Sequence, residues 1–481
     1  MKFKKITDQI WEIPKTFKEG MRVPARIYAT EDLLPGFDEK VIDQITNVAT
    51  LPGIQKHAMC MPDGHMGYGF PIGGVAAFDP EEDGVISPGG IGFDINCGMR
   101  LVTTNMTWKQ VEPKIKELMD HLFKTIPAGV GKHSLVRLRP DKFKEVVEQG
   151  ASWCIEQGLG WDEDLERIED HGRIDWADAS KVSDRALQRG LGQLGTLGSG
   201  NHYLEVQTAS KDEIFDERLA KKFGITQPDQ VVIMFHCGSR GFGHQIGTDY
   251  LKSFLAAMPK YGINVRDREL ACAPFNSEEG QDYYKAMACG ANMAFANRQL
   301  ILHHLRDGFK TIFKQDPEDL GMHMVYDVAH NIAKLEKHKI DNVSKELIVH
   351  RKGSTRCFGP SRPELPKLYA DSGQPVIVGG SMETGSYLCV GTDKAEETFG
   401  STMHGAGRTM SRTQAKKQVS GEQLQKKMER EHIYVKSVSM RGLAEEAGFA
   451  YKNVASVVDV MEAAGISKKV VALRPKGNIK G

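Results

Sequence analysis

The chemistry of this 481-residue chain is read first from a histidine set among small residues. His404 is followed by Gly405, Ala406, Gly407 and Arg408, and glycines there allow backbone conformations and close approaches to an anion that a Cβ would block. Arg408 and Arg412 add planar, permanently charged forks that match phosphate oxygens. Alone, a histidine in a glycine-rich turn is more often structural than catalytic. Four further polar segments add weight. Residues 87–98 place Asp94 and Cys97 three apart between glycines. Residues 198–205 run from glycines through Asn201 and His202 into a short alternating segment with Tyr203 and Glu205. The apolar run 231–235, a buried strand by its pattern, leads straight into His236 and the turn of Arg240. Residues 322–331 form a strand-like segment carrying Asp327 and ending at His330.

Asp94, Cys97, His202, His236 and His330 together offer a carboxylate oxygen, a thiolate and three imidazoles. That mixture suits a divalent transition ion such as Mn, Co or Zn better than Mg or Ca. A thiolate can bridge two ions, and five ligands shared between two ions leave positions for substrate oxygens, as catalytic sites require. Most of the 16 histidines must be solvated or hydrogen-bonded in the core, and for any one of these three alone that reading is the better. The set persuades more than its members, because each sits beside glycine or at a strand end. There is no Cys-x-x-Cys pair, which argues against a structural zinc knuckle.

Neither a Walker A sequence nor a Rossmann fingerprint is present. Residues 379–387, after the short strand 376–378, fit either an anion nest or an ordinary turn. Arg189, Arg240, Lys352 and Arg412 are the basic residues nearest the glycine loops, and each reads equally well as a solvated surface charge.

Elements must hold these residues. Helical periodicity runs over 39–49, 110–125, 281–306, 421–430 and 453–464, and short apolar strands fall at 231–235, 324–328, 346–349 and 376–378. The order shows no sustained βαβ alternation and no repeat, which favours an α+β fold on antiparallel or mixed sheets flanked by helices. The candidate motifs extend from 63 to 480 without a linker, so residues 1–481 are expected to form one large catalytic domain. The 63 basic and 63 acidic residues balance, removing a global electrostatic case for nucleic acid while leaving room for a local basic patch. The eight scattered cysteines read mostly as buried small hydrophobes, Cys97 excepted. No signal-like N-terminus or membrane-length apolar run appears, so a soluble, intracellular, cytoplasmic protein is expected.

Long stretches of the chain resemble the RtcB family of RNA-splicing ligases: 51–53, 61–69, 87–98, 194–202, 238–241, 327–334, 350–356, 404–408 and the terminal Ile479-Lys480-Gly481. The resemblance implies an RtcB-like fold and a GTP-dependent RNA ligase that joins a 3′-phosphate or 2′,3′-cyclic phosphate end to a 5′-hydroxyl end, in tRNA splicing and RNA repair. It implies Mn(II), two per site, and a guanylylated histidine intermediate at His404. Asp63 matches the carboxylate that orients that imidazole. Asp94, Cys97 and His202 match the ligands of one ion and Cys97, His236 and His330 those of the other. Asn201, Glu205, Ser381, Ser386 and Lys480 match the nucleotide pocket, with His202, Tyr203, Gly405, Ala406 and Gly407 beside them. Arg189, Arg240, Lys352, Arg408 and Arg412 are implied contacts to RNA or triphosphate. Implied partners are RNA ends, including tRNA halves, and an archease-type activator; no membrane is involved. Glu383 departs from the family pattern where glycine is usual, and Cys237 and Phe242 depart beside His236 and Arg240. A dimetal phosphoesterase acting on RNA ends and a non-catalytic RNA-binding protein are the rival classes; GTP-dependent ligation separates them.

Overall fold

Two large sheets carry the site, in a computed structural model that describes residues 3–131, 133–134 and 136–481. The first has seven strands in the order Lys4–Lys5, Ile10–Ile13, Ala25–Tyr28, Ala58–His65, Ile72–Phe78, Val343–Lys352 and Asn331–Ile340. The second has eight, seven on its main path, Met324–Ala329, Gly98–Thr107, Gln230–Cys237, Tyr203–Ala209, Ser467–Lys480, Ser386–Gly391 and Pro375–Val378, with Tyr434–Ser437 branching from Ser467–Lys480. Pairing is antiparallel apart from two parallel neighbours, Ala25–Tyr28 on Ala58–His65 and Tyr434–Ser437 on Ser467–Lys480. The fold is α+β, as expected from the irregular order of elements.

The expected helix over 281–306 is longer, Glu278–Phe313. Ser277 caps it by accepting from the Gly280 N–H, Glu278 and Glu279 favour the positive end of its dipole, and an alanine-rich middle lets it run through the core. Its buried polar residues serve loops. Asn297 Oδ1 accepts from the Gly195 and Thr196 N–H groups at 2.7 and 3.0 Å, and its amide donates to the Gly238 carbonyl at 3.2 Å. The helix thus holds both glycine turns that flank His202 and His236.

Two expectations need correction. The helix read over 110–125 is three pieces, Trp108–Val111, Glu112–Lys114 and Ile115–Thr125, because Pro113 cannot continue the hydrogen-bond ladder. The strand Asn331–Ile340 went unread because its inward side chains are charged. Lys334, Glu336 and His338 are buried while Leu335, Lys337 and Lys339 face out. Glu336 is held by both Arg351 Nη atoms at 2.7 Å, and Lys334 pairs with Glu169 at 2.5 Å, which satisfies charges that burial alone would penalise.

Candidate active site

A cavity of about 920 Å³ opens between the two sheets' ends, and His404 lies in its wall. The strand Ala58–His65 delivers Asp63, fully buried, to the turn that follows the short strand Ser401–Met403. One carboxylate oxygen of Asp63 accepts from the His404 N–H at 2.9 Å, from the Gly405 N–H at 3.2 Å and from the imidazole Nδ1 at 2.6 Å. Gly407, at φ +72°, lies so close to the Asp63 backbone that a Cβ would strike its carbonyl, so the turn wraps the aspartate on two sides. Burial opposes the Asp63 charge, yet His404, by charge and hydrogen bonds, holds its pKa below the usual carboxylate value. A carboxylate on Nδ1 fixes the proton there and leaves the Nε2 lone pair facing the cavity.

Next to His404, whose ring centroid is 4.8 Å from that of His330, lies a chain of donors. The Nε2 atoms of His330 and His236 are 3.1 Å apart. His236 Nε2 is 3.0 Å from Cys97 Sγ, which is 3.4 Å from His202 Nε2, itself 2.8 Å from Asp94. Cys97 stands in the middle, reached by the turn from Asp94 through Asn96 at φ +53°. The Asn201 carbonyl takes the Nδ1 proton of His236 at 3.1 Å, so its Nε2 lone pair turns inward, while the buried His330 Nδ1 has no partner among the described residues. Burial keeps His236 and His330 well below the ordinary histidine pKa, hence neutral. Burial and the Asp94 carboxylate push the Cys97 thiol up. Lone pairs and a thiol converging without compensating charge are what a divalent transition cation satisfies, and the donor set fits one.

A residue with no distinguishing mark in the sequence underlies this corner. Arg298, buried in the long helix, donates to the Asn96 carbonyl at 2.8 Å, to the Cys237 carbonyl at 2.9 Å and twice to Asp327 at 2.8 Å. These are the neighbours of Cys97 and His236 and the strand that leads to His330. Arg100 Nε shares Asp327 at 2.7 Å. An arginine in a helical stretch reads as surface charge, so no local signal marks it.

The other wall is made by the 379–386 turn, the C-terminal strand and residues 408–451. Asn201, Tyr203, Glu205, Ser381, Gly405, Ala406, Gly407, Arg408, Arg412 and Lys480 line the cavity. Ser386 lies behind it, its hydroxyl accepting from Gln207 at 3.2 Å. Burial, partly offset by Lys480, raises Glu205 to about 7. Glu446, also missed from the sequence, lies at 3.3 Å from Arg408, 3.1 Å from Arg412 and 3.7 Å from Lys480, and bonds Tyr451. Burial opposes its charge, but Lys480, the Tyr451 hydroxyl and the arginines hold it at about 2.

The remaining basic residues are not gathered there. Arg240 donates to Thr196 and sits 3.2 Å from His202 Nδ1, behind the donor chain. Arg189 is exposed and bonded to Gln245 at 2.9 Å. Lys352 is buried, its amine on the carbonyls of Tyr68 and Gly89, and burial lowers it to about 7. Glu383 bonds Lys427 and the Gly448 N–H, each at 2.5 Å. All eight cysteines are buried and free. Among the described residues, no helix is long and apolar enough to cross a membrane.

Fold and cavity together define an α+β enzyme whose working residues come from widely separated stretches of one chain. The sequence model of the tRNA-splicing ligase RtcB family matches residues 44–481, and the chain belongs to that family. It is 54% identical to the tRNA-splicing ligase RtcB of Methanococcus maripaludis over 478 residues, 99% of each chain. The proteins of the same name from Archaeoglobus fulgidus and Thermococcus kodakarensis are 52% and 51% identical, covering 99% of this chain and 98% of each relative.

Proposed function

We propose that this enzyme joins an RNA 3′-phosphate, or a 2′,3′-cyclic phosphate after its hydrolysis, to a 5′-hydroxyl end with GTP as co-substrate, serving tRNA splicing and RNA repair as one catalytic unit. His404 Nε2 attacks the α-phosphorus of GTP and pyrophosphate leaves, giving a guanylylated histidine. GMP passes to the RNA 3′-phosphate, and the 5′-hydroxyl then displaces it. The observation that most supports this is the Asp63 carboxylate on His404 Nδ1 at 2.6 Å, which frees Nε2 beside the donor chain centred on Cys97.

Asp94, Cys97 and His202 would hold one Mn(II), and Cys97, His236 and His330 the second. Such ions, when bound, neutralise phosphate charge and stabilise leaving oxygens. Asn201, Tyr203, Glu205, Ser381 and Lys480 take the nucleotide, with Ser386 supporting the turn from behind. Arg408 and Arg412 face its phosphates. RNA ends such as tRNA halves are the partner class, an archease-type activator assists turnover, and the setting is cytoplasmic.

The test is incubation with α-labelled GTP and Mn(II), comparing wild type with His404→Ala. A covalent label that acid removes and alkali spares, present in wild type alone, is the expected outcome. Absence of label in metal-loaded wild type would move the assignment to a dimetal phosphoesterase.

A further inference from the structure

Asp63 serves two histidines. Its carboxylate takes the Nδ1 proton of His404, and its backbone carbonyl takes the Nδ1 proton of His65 at 3.0 Å. Both rings are therefore fixed in one tautomer, with the lone pair on Nε2. Neither Nε2 has a hydrogen-bond partner among the described residues, and both side chains line the same cavity. The two are close neighbours through shared packing. His65 pairs with Ile72, and a Cβ on Gly353 would meet both the Ile72 side chain and, at 3.2 Å, His404 Cε1.

The reaction proposed above gives His404 a task and leaves one step without a base: the 5′-hydroxyl must lose a proton as it attacks. Asp63 is engaged by three donors. Lys452, beside it, is tied to the carbonyls of Pro62 and Gly64 at 2.9 and 2.8 Å. His236 and His330 belong to the donor chain at Cys97. Of the described imidazoles lining the cavity, His65 is the one that remains.

We propose that His65 is the general base of the sealing step, a role that rests on the ligase reading. The 5′ oxygen forms its bond to the activated 3′-phosphorus, and the bond from that phosphorus to GMP breaks with its electron pair leaving on GMP. The hydroxyl proton passes to His65 Nε2 and from there to solvent. Burial, ahead of the opposing hydrogen bond to Asp63, keeps His65 at about 4, with the charges of His404 and Lys452 lowering it and that of Asp63 raising it. The ring is thus unprotonated at neutral pH, and RNA phosphates brought against it raise its basicity.

The experiment separates the three steps in the full-length, Mn(II)-loaded protein with His65→Ala and His65→Gln: labelling by α-labelled GTP, transfer of GMP to an RNA 3′-phosphate, and sealing of a pre-activated RNA to a 5′-hydroxyl strand. Labelling and transfer are expected within about twofold of wild type, while sealing falls roughly 100-fold or more in both variants. Unchanged sealing overturns the proposal. So does an equal fall in labelling, which would make His65 a support for Asp63. The glutamine variant retains a donor for the Asp63 carbonyl and covers the case in which alanine unfolds the turn. A wild type that takes no label counts against the ligase reading itself and is seen before any variant is compared.

Discussion

The two walls of the cavity are held by opposite means. Behind the thiolate and imidazoles, Arg298, Arg100 and Asp327 are fully buried and knit the Asn96 turn, the end of strand Gln230–Cys237 and strand Met324–Ala329 to the core helix. The other wall, whose 408–451 segment is the proposed nucleotide side, gathers on a small apolar cluster of its own, including Leu424, Met428, Val435 and Leu443, with Met382 the member from outside that stretch. It joins the rest through the parallel pairing of Tyr434–Ser437 with Ser467–Lys480 and through ion pairs, among them Lys427 to Glu383 at the rim. Donors that must meet a metal tolerate little displacement, and buried charge networks enforce that. A wall that admits and releases a nucleotide needs fewer buried contacts, and the low-stability parts of a fold supply them. Substitutions in the two walls should therefore fail differently.

The largest effect is expected from Arg298→Met. It removes the donor on two strands and the Asn96 turn at once and leaves Asp327 with Arg100 alone, a loss of about 3 kcal/mol by the standard for a broken buried pair. Denaturant unfolding reads the stability, and the absorption of bound Co(II) reads the donor geometry. A variant that takes up cobalt with an unaltered spectrum would refute the idea that this arginine shapes the site. Glu446→Gln comes next and acts on the other wall. The folded pKa of Glu446, about 2, lies below the unfolded glutamate value near ~4.3. Its charged form therefore contributes stability above pH ~4.3, and that contribution is lost as pH falls toward 2; the shift corresponds to roughly 3 kcal/mol. Unfolding measured from pH 6 down to 3 should show a shallower acid limb in the variant, with cobalt binding at neutral pH unchanged. Equal acid limbs would detach Glu446 from the network.

How much of this was legible in the sequence follows the same division. His404, Cys97, Asp94 and the histidines at strand ends could be found because glycine and strand punctuation mark turns that carry function. Helix Glu39–Val48 and strand Gln230–Cys237 could be read because their apolar periods are clean. Arg298, Glu446 and the inward charges of Asn331–Ile340 could not, since a buried charge looks like a surface charge until its partner, 15 to 30 or more residues away, is placed beside it. The tautomer of His65 was equally hidden, because a backbone carbonyl decides it. Lys352, an RNA or triphosphate contact implied by the resemblance, has its amine buried on two carbonyls, a placement that its glycine-rich surroundings do not announce.

The smallest effect belongs to Glu383, in the turn that carries Ser381. Its carboxylate joins the turn that bears Ser381 to Lys427 and to the Gly448 N–H within the same wall. Lys427 is 59% exposed, so the pair itself is solvent-screened and contributes ~1 kcal/mol or less. Glu383→Ala should therefore leave the unfolding midpoint nearly in place, and its consequence should appear in nucleotide affinity, because the tie holds the turn whose Ser381 lines the proposed nucleotide pocket. A change of 1 kcal/mol there is about fivefold. Lys427→Ala cuts the ion pair and keeps the bond to Gly448, so comparing the two variants divides the effect between charge and backbone tether. If both leave GTP affinity unchanged, the rim contacts merely coincide with the pocket, and the contrast between a fixed and an opening wall loses its support on this side.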